Sequence, residues 1–332
     1  MTTFALPNIA EQSGQRTVDA QVAAAVREGL VCWPKRLPPW LFYDAAGSRL
    51  FDEITERPEY YPTRTERGIL AAHAETMITR TANGARLRIT ELGAGSADKT
   101  RLLLKAAVER QGTVVYEPVD VSASALAAAR DRIEREIAGV EVVPRVMDYT
   151  HGHGLELEAA DAGERRLVLY IGSSIGNFDP PEAMRLLRRV RAGLKTGDGL
   201  LLGVDLVKDE GTLLAAYDDF AGVTADFNLN LLTRLNRELG ADFYLESFEH
   251  RVIWNEAESR IEMHLESRVR QTVRLAALGL DVEFAEGETI HTENSYKYRV
   301  GQAEALLAEA GFRAAGSWTD ERGWFGVCLG RV

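Results

Sequence analysis

The stretch most able to do chemistry is residues 89–100, where an apolar run and Glu91 lead into two closely spaced glycines, Gly93 and Gly95. Glycine lets a backbone turn sharply and lets a ligand approach it closely, so a glycine turn between a strand and a helix is a common nucleotide-binding device. The same pattern occurs in dinucleotide oxidoreductases, in methyltransferases and in turns that bind nothing. The stretch therefore indicates a site without naming a reaction.

Polar residues also follow three further predicted strands. Asp120 ends the second strand, Asp148 and Tyr149 follow the third, and residues 172–178 follow the fourth. Ligands of a doubly wound sheet bind at the carboxyl ends of its strands, and a carboxylate there can accept both hydroxyls of a ribose. Asp120 could instead cap the helix that begins near Ser122. The positions together favour an adenosine site, in which Asp148 would suit the adenine amine.

The residues after the two glycines indicate which chemical group the ligand carries beyond its adenosine. A pyrophosphate favours a third glycine three positions on, but Asp98 stands there, and its charge would oppose a phosphate. S-adenosylmethionine has no phosphate. Its ammonium would suit Glu91 or backbone carbonyls, and its carboxylate would suit Lys99. The motif therefore favours a methyl donor, with a dinucleotide as the alternative.

The elements that must position these residues alternate between strand and helix. The predicted strands are 89–92, 114–119, 140–143, 167–171 and 199–206, and the helices between them are 100–111, 122–137 and 181–194. Such alternation predicts a mainly parallel sheet covered by helices on both faces.

The flanking segments have a different pattern. Before the sheet we predict a helix at 17–31, a proline-broken, aromatic-rich loop at 34–64 and a helix at 65–81. After the sheet we predict helices at 210–217, 222–239 and 300–310, and strands at 243–251, 260–268, 271–274, 282–290 and 324–329. The predicted fold is α/β: a Rossmann-like doubly wound sheet from residues 61–208 and 299–332, with a smaller α+β substrate domain from residues 1–60 and 209–298.

The amino-acid composition limits the kinds of molecule that the protein is expected to bind. The chain of 332 residues carries 39 basic and 50 acidic residues, a net charge of -11, which argues against nucleic acid and anionic membranes and for a small-molecule substrate. It shows neither a signal-peptide pattern nor an apolar run long enough to span a membrane, so we expect a cytoplasmic protein. The sequence does not determine the oligomeric state, for which a monomer is the simplest expectation. Cys32 and Cys328 are predicted to be reduced thiols, and the histidines form no metal-site pattern, so no metal is expected.

Several blocks of the sequence belong to a recognisable pattern: residues 42–44 with 47–48 and 50–52, then 58–64, 91–96, 172–178, 227–230 and 287–298. With these blocks the sequence resembles, over nearly its whole length, the histidine Nα-methyltransferases of ergothioneine biosynthesis, which have the class I methyltransferase fold. The glycine motif is shared with all class I methyltransferases, whereas the other matching blocks are specific to this family.

The resemblance implies two groups of site residues. The S-adenosylmethionine site would comprise Gly93, Lys99, Asp120, Asp148 and Tyr149, and the histidine site Tyr60, Asn177, Tyr217, Glu293, Asn294 and Ser295, with Tyr43 and Met263 at its border. Tyr60 and Tyr217 would hold the substrate carboxylate, and Asn177 the α-amine. Glu293 and Ser295 would supply an acceptor and a donor to the imidazole, which agrees with the hydrogen-bonding capacity of those side chains.

The implied reaction is S-adenosylmethionine-dependent trimethylation of the α-amine of L-histidine to hercynine. No general base is assigned, and Asn177 and Tyr43 are candidates for positioning the amine. Aromatic residues such as Tyr43 and Phe51 could tolerate the quaternary product through cation–π contacts. The alternatives are a methyltransferase of the same family acting on another amino acid, a NAD-dependent oxidoreductase, and a binding protein without catalysis.

Overall fold

The computed structural model of the protein describes residues 18–95, 97–147, 149 and 163–332. The first elements in chain order are α1 (Ala20–Val31), β1 (Lys35–Arg36), α2 (Ala45–Thr55), α3 (Tyr61–Ala82), β2 (Arg86–Leu92), α4 (Thr100–Gln111), β3 (Val114–Asp120), α5 (Ala123–Glu136), β4 (Val140–Val142) and β5 (Arg145–Val146). Then follow β6 (Glu164–Tyr170), α6 (Pro180–Ala192), β7 (Gly199–Asp205), α7 (Glu210–Ala215), α8 (Val223–Leu239), β8 (Phe248–Asn255), β9 (Arg260–Ser267), β10 (Gln271–Leu275), β11 (Leu280–Phe284), β12 (Thr289–Tyr296), α9 (Gln302–Glu309), β13 (Arg313–Thr319) and β14 (Phe325–Arg331).

The large sheet has the strand order β13-β14-β7-β6-β2-β3-β4, and β5 pairs with β3. Strands β2, β3, β4, β6 and β7 run parallel to one another, and β14 runs antiparallel to both β7 and β13. The chain moves outward from β2 through β3 and β4, then returns to the other side of β2 for β6 and β7. The strand order therefore reverses beside β2, where an open α/β sheet binds its ligand. This is the class I methyltransferase topology, and the predicted fold class is confirmed.

Helices cover both faces of the large sheet. One core cluster joins Met77 of α3, Leu104 of α4 and Ile133 of α5 to the strands. Another joins Leu187 of α6 and Leu307 of α9 to the opposite face. Because both faces are covered, β7 is buried at every residue, which is why the central strands are near-continuous apolar runs in the sequence.

A smaller sheet of order β1-β12-β9-β8 carries a separate core cluster, and β10 and β11 form a hairpin beside it. Val26 of α1, Ile54 of α2 and Leu231 of α8 pack in this cluster. In β1, Lys35 pairs with Ile290 of β12, so the chain before the large sheet and the chain inserted after β7 share one sheet. The boundaries proposed for the two domains stay a prediction.

Several elements differ from the sequence-based predictions. The strand predicted over 243–251 is β8 (Phe248–Asn255), α3 begins at Tyr61 instead of residue 65, and the short strands β1 and β5 were not predicted. The aromatic segment predicted as a loop contains α2, which begins where the Asp44 carboxylate accepts the backbone N–H groups of Ala46 and Gly47 at 3.1 and 2.7 Å. The strand predicted over 282–290 is two strands, β11 and β12, separated by a turn at Gly287 with φ 80°. Strand β13 was not predicted.

Candidate active site

A pocket lies between the carboxyl edge of the large sheet and the inner face of the small one. Its lining residues are Tyr43, Phe51, Ile54, Tyr60, Pro62, Gly172, Ser173, Ser174, Asn177, Asp205, Ala216, Tyr217, Thr224, Phe227, Met263, Glu293 and Ser295. The pocket therefore brings together every predicted substrate-site residue except Asn294. That these residues bind substrate stays a prediction.

The turn after β6 forms one wall of the pocket. Gly172 and Ser173 have φ values of 81° and 59°, and they lead into a short 3-10 helix that ends at Asn177. A Cβ on Gly176 would lie 2.8 Å from the carbonyl oxygen of Tyr296, so only glycine lets this turn pack against β12. The close packing fixes the direction in which Asn177 enters the pocket.

Aromatic rings form a second wall. The ring of Tyr43 meets those of Phe51 and Phe227 edge-on at centroid distances of 5.8 and 5.9 Å, and Tyr60 lies 6.4 Å from Tyr217. Burial raises the pKa of Tyr43, Tyr60 and Tyr217 well above its ordinary value. These phenols stay protonated at neutral pH and can donate hydrogen bonds.

A buried ionic cluster lies behind the pocket. Asp205 at the end of β7 pairs with Lys208 at 2.6 Å and with Lys297 at 2.9 Å, and it accepts the hydroxyl hydrogen of Tyr61. Burial acts to raise the pKa of Asp205, but Lys297 and Lys208 outweigh burial, and the pKa lies below its ordinary value. Asp205 therefore stays ionised. No local pattern in the sequence shows that these residues meet.

Glu293 presents its carboxyl to the pocket from β12. Burial raises its pKa to about 7, against the opposing attraction of Lys297. A β-bulge between His291 and Glu293 sets Glu293 opposite Met263 of β9, and both residues line the pocket. A buried carboxyl with a raised pKa is suited to a cationic or hydrogen-donating ligand.

Asn294 lies on the other face of β12 from Glu293 and Ser295. Its side-chain oxygen meets His291 Nε2 at 2.8 Å, and its amide donates to Asp179 at 3.3 Å. Successive side chains of a strand point to opposite faces, so the structure places Asn294 outside the pocket. Its assignment to the substrate site stays a prediction that the observed lining of the pocket does not support.

The glycine turn after β2 lies beside Asp120 and Tyr149. Gly93 has φ 69°, and a Cβ there would lie 2.7 Å from the Tyr149 hydroxyl. Asp120 accepts the backbone N–H of Gly95 at 3.2 Å and that of Ser122 at 2.9 Å. Such a turn, free of side-chain atoms, suits the close approach of a nucleoside. Asp148 lies outside the described residues.

Lys99 connects this turn to the substrate pocket. Its ammonium forms an ion pair with Glu66 of α3, which also accepts the backbone N–H of Gly172 at 2.9 Å. A Cβ on Gly172, which lines the pocket, would lie 3.2 Å from Lys99 Nζ. The predicted donor site and the pocket therefore meet at Gly172. Glu66 is fully buried, although its sequence neighbours suggest only an exposed helical acid.

Glu91 faces the sheet interior. Both of its oxygens lie 2.7 Å from the Thr100 hydroxyl, and Tyr116 donates to one of them. Burial raises the pKa of Glu91 to about 7, although Tyr116 and Thr100 act to lower it. These hydrogen bonds occupy the Glu91 carboxyl. Glu91 therefore fits a role in joining β2 to α4 better than the role of binding the ammonium group of the methyl donor.

Among the described residues, Glu262, His264 and His291 form a group whose donor atoms lie within 4.8 Å of one another. Arg260 donates to Glu262 at 2.7 Å, and Asn294 meets His291. The expectation that no metal is bound stays a prediction. No helix in the described part of the chain is long and apolar enough to cross a membrane.

Comparison with known proteins decides the family. Residues 22–332 match the model of a family described as histidine-specific methyltransferase, SAM-dependent. The chain belongs to this family. It is 48% identical to a histidine N-alpha-methyltransferase of Mycolicibacterium smegmatis, over 92% of each chain, and 44% identical to one of Mycobacterium tuberculosis, over 97% of this chain and 98% of the relative. Ergothioneine biosynthesis protein 1 of Neurospora crassa is 30% identical over 86% of this chain and 32% of the relative.

Membership of this S-adenosylmethionine-dependent family confirms the predicted methyl donor and the predicted class of enzyme. The alternative of a NAD-dependent oxidoreductase is thereby overturned. The family's donor and the glycine turn at Gly93 agree, because that turn has neither a third glycine nor a neutral residue where a pyrophosphate would need one.

Proposed function

We propose that this protein transfers three methyl groups from S-adenosylmethionine to the α-amine of L-histidine, giving hercynine in the first step of ergothioneine biosynthesis. The observation that carries the proposal is the pocket wall formed by Met263, Glu293 and Ser295, in a chain 48% identical to a histidine N-alpha-methyltransferase. This wall offers a carboxyl and a hydroxyl to a ring with two nitrogens.

The imidazole would bind at Glu293 and Ser295. The two side chains are two residues apart on β12, so both point to the same face of the strand. A carboxylate accepts an imidazole N–H, and a hydroxyl can either donate to or accept from the second nitrogen. Met263 beside them would contact the flat face of the ring through its thioether.

The amino-acid end of the substrate would bind at the other polar groups of the pocket. Tyr60 and Tyr217 are neutral phenols that can donate to a carboxylate, and the Asn177 amide can hold the α-amine. Thr224 also lines the pocket, and its hydroxyl is buried without a hydrogen-bond partner in the described part of the chain. A bound substrate would supply the partner that this hydroxyl lacks.

The methyl donor would bind along the glycine turn, with Gly93, Asp120 and Tyr149 at its adenosine and Lys99 at its carboxylate. Asp148, outside the described residues, would complete the set. When bound, S-adenosylmethionine supplies an electrophilic methyl group on a sulfonium. Because Lys99 already pairs with Glu66, the donor carboxylate would share this ammonium.

The protein's contribution to the reaction would be positioning. Holding the neutral α-amine in line with the methyl group in a water-poor pocket supplies much of the rate enhancement. No residue is assigned as general base, because Glu293 is engaged with the imidazole in this proposal and Asp205 pairs with two lysines, so we assign the proton of the amine to solvent before each transfer. The rings of Tyr43, Phe51 and Phe227 would surround the growing quaternary ammonium and stabilise it through cation–π contacts.

The proposal is tested by incubating the enzyme with isotopically labelled S-adenosylmethionine and each of the common amino acids in turn, followed by mass spectrometry. We expect trimethylated histidine and no comparable transfer to other amino acids. Transfer to another amino acid and none to histidine would show a different member of the family, and binding of both ligands without turnover would show a binding protein. The expected monomeric state and cytoplasmic location also stay predictions.

A further inference from the structure

Lys297 follows β12 directly, and its side chain is buried behind the pocket, with the residue 2% exposed. Its ammonium pairs with Asp205 Oδ2 at 2.9 Å and donates to the oxygens of Tyr217 and Ser295, each at 2.8 Å. Because an ammonium has three hydrogens, these three contacts use all of them. Lys297 therefore acts on the pocket through the two hydroxyls and has no hydrogen left for a ligand.

The oxygens of Tyr217 and Ser295 lie 2.7 Å apart, so one hydroxyl donates to the other. Each hydroxyl has one hydrogen, and burial raises the pKa of Tyr217, so its phenol keeps that hydrogen. One of the two hydrogens lies between the oxygens. A single hydrogen therefore remains for a ligand in the pocket that both residues line.

The remaining hydrogen belongs to Tyr217 when a substrate carboxylate is the acceptor. A phenol is a more acidic donor than an aliphatic hydroxyl, and hydrogen bonds to a charged acceptor are stronger than those to a neutral one. Ser295 then donates to Tyr217. The Ser295 oxygen accepts from Lys297 and keeps one lone pair for the substrate.

We propose that Lys297 is a positioning residue that holds these hydroxyls together and presents Ser295 to the substrate as an acceptor, so that the pocket binds the histidine ring together with one additional proton. This rests on the proposed function. The ring nitrogen that faces Ser295 must carry hydrogen, and the other nitrogen faces Glu293. If both Ser295 and ionised Glu293 are acceptors, a neutral ring can satisfy only one of them, because it has a single N–H. The lone pair of its other nitrogen would then face the second acceptor and be repelled by it. An imidazolium beside ionised Glu293, or a neutral ring beside protonated Glu293, satisfies both.

This reverses the direction expected from the sequence, in which Ser295 donates to the ring. The reversal follows from Lys297 and Tyr217, which the sequence does not place beside Ser295.

The ionisable groups around the Glu293 carboxyl are consistent with an additional proton. Those that interact with it electrostatically are Lys297 and the phenols of Tyr43, Tyr60 and Tyr217. The phenols are neutral, and the Lys297 ammonium is shared with Asp205. The pKa of Glu293 therefore remains raised by burial, and a proton shared with the ring would neutralise the carboxyl.

The number of protons taken up on binding tests the proposal. Hercynine is a suitable probe, because its quaternary ammonium cannot titrate, so its ring is the one group of the ligand that titrates near neutral pH and Glu293 is the carboxyl that the ring would face. Calorimetric titration of hercynine into the enzyme with S-adenosylhomocysteine, repeated in buffers of different ionisation enthalpy, gives that number. At about pH 8 we expect uptake of about one proton, and at about pH 5.5 release of about one. Binding without uptake at the higher pH would overturn the proposal.

Two lysine variants separate positioning from general stability. In Lys297→Met, Ser295 is free to turn and donate to a neutral ring, so proton uptake at about pH 8 should fall towards zero. Lys208→Met is the matched control, because Lys208 pairs with the same Asp205 but makes no hydrogen bond to Tyr217 or Ser295. It should retain the uptake, and equal losses in both variants would contradict a specific role for Lys297.

If Lys297→Met does not fold, Tyr217→Phe removes the acceptor of the Ser295 hydrogen and should reduce the uptake in the same way. Unchanged uptake in Tyr217→Phe would contradict the hydrogen-bond direction. Failure of the proposed function looks different: hercynine would not bind and histidine would not be methylated. Binding and methylation without proton uptake would reject only the role proposed for Lys297.

Discussion

Replacing Glu293 with glutamine should weaken histidine binding much more than S-adenosylhomocysteine binding. The substitution keeps the size of the side chain and removes its charge. A hydrogen bond to a charged group contributes about 1.5–3 kcal/mol, which corresponds to about a 10- to 150-fold change in Kd. Because Glu293 is buried enough for its pKa to be raised to about 7, little water can replace the lost charge, and we expect the upper half of that range.

The assay is calorimetric titration of histidine into enzyme saturated with S-adenosylhomocysteine, together with titration of S-adenosylhomocysteine alone. The matched control is Glu249→Gln, which removes a carboxylate from an exposed position on β8 of the same small sheet. This control should leave both affinities within about twofold, because surface substitutions usually have small effects.

The outcome distinguishes three roles of Glu293. A selective loss of histidine affinity supports direct contact with the ring. Equal losses for both ligands would show that the residue maintains the fold, and unchanged histidine affinity would refute its place in the substrate site. Thermal unfolding of the variant without ligands separates the second outcome from the first.

Three further predictions test other parts of the site. Gly93→Ala should weaken S-adenosylhomocysteine binding at least tenfold in Kd, because its Cβ would lie 2.7 Å from the Tyr149 hydroxyl, whereas Gly95→Ala, also at positive φ but with open space around its Cβ, should weaken it less. Glu91→Gln should raise the Tm relative to wild type more at about pH 8 than at about pH 5. In the wild-type protein, folding raises the pKa of the Glu91 carboxyl from 4.5 to about 7. The folded state therefore binds a proton that the unfolded state does not, and the wild-type protein loses this stability as the pH rises through about 7. Phe51→Leu should slow the third methyl transfer more than the first in single-turnover assays, because the quaternary product has no N–H to donate and depends on cation–π stabilisation of about 0.5–2 kcal/mol.

The large sheet could be predicted from sequence because its strands are buried on both faces. Such strands are continuous apolar runs, and helices of regular length separate them, so local pattern and fold agree. Helix α2 was harder to predict. Its Asp44 cap lies in an aromatic segment after three prolines, and Gly47, inside the helix, weakens the helical pattern. The structure explains that glycine, because a Cβ there would lie 1.8 Å from the carbonyl oxygen of Phe42.

The site could be predicted only where its residues belong to recognisable sequence blocks. Glu66 of α3 and Lys99 before α4 have β2 between them in the chain, and they form an ion pair beside the backbone of Gly172. Lys297, which follows β12 of the small sheet, pairs with Asp205 at the end of β7 in the large sheet. These ion pairs join segments far apart in the chain. Their side chains have the same types as ordinary solvated charges, so no periodicity or local motif distinguishes them.

The β-bulge at Thr292 determines which face of β12 lines the pocket. Before the bulge, His291 pairs with His264; after it, Glu293 pairs with Met263, one residue out of step. A strand of uniform pleat would place Glu293 and Ser295 on the same face as His291, because their numbers differ by two. The extra residue turns both towards the pocket and leaves Asn294 beside His291. The Thr292 hydroxyl donates to the carbonyl oxygen of Met263 at 3.0 Å, which holds the bulge in place. The substrate wall therefore depends on one inserted residue that makes no contact with the pocket itself.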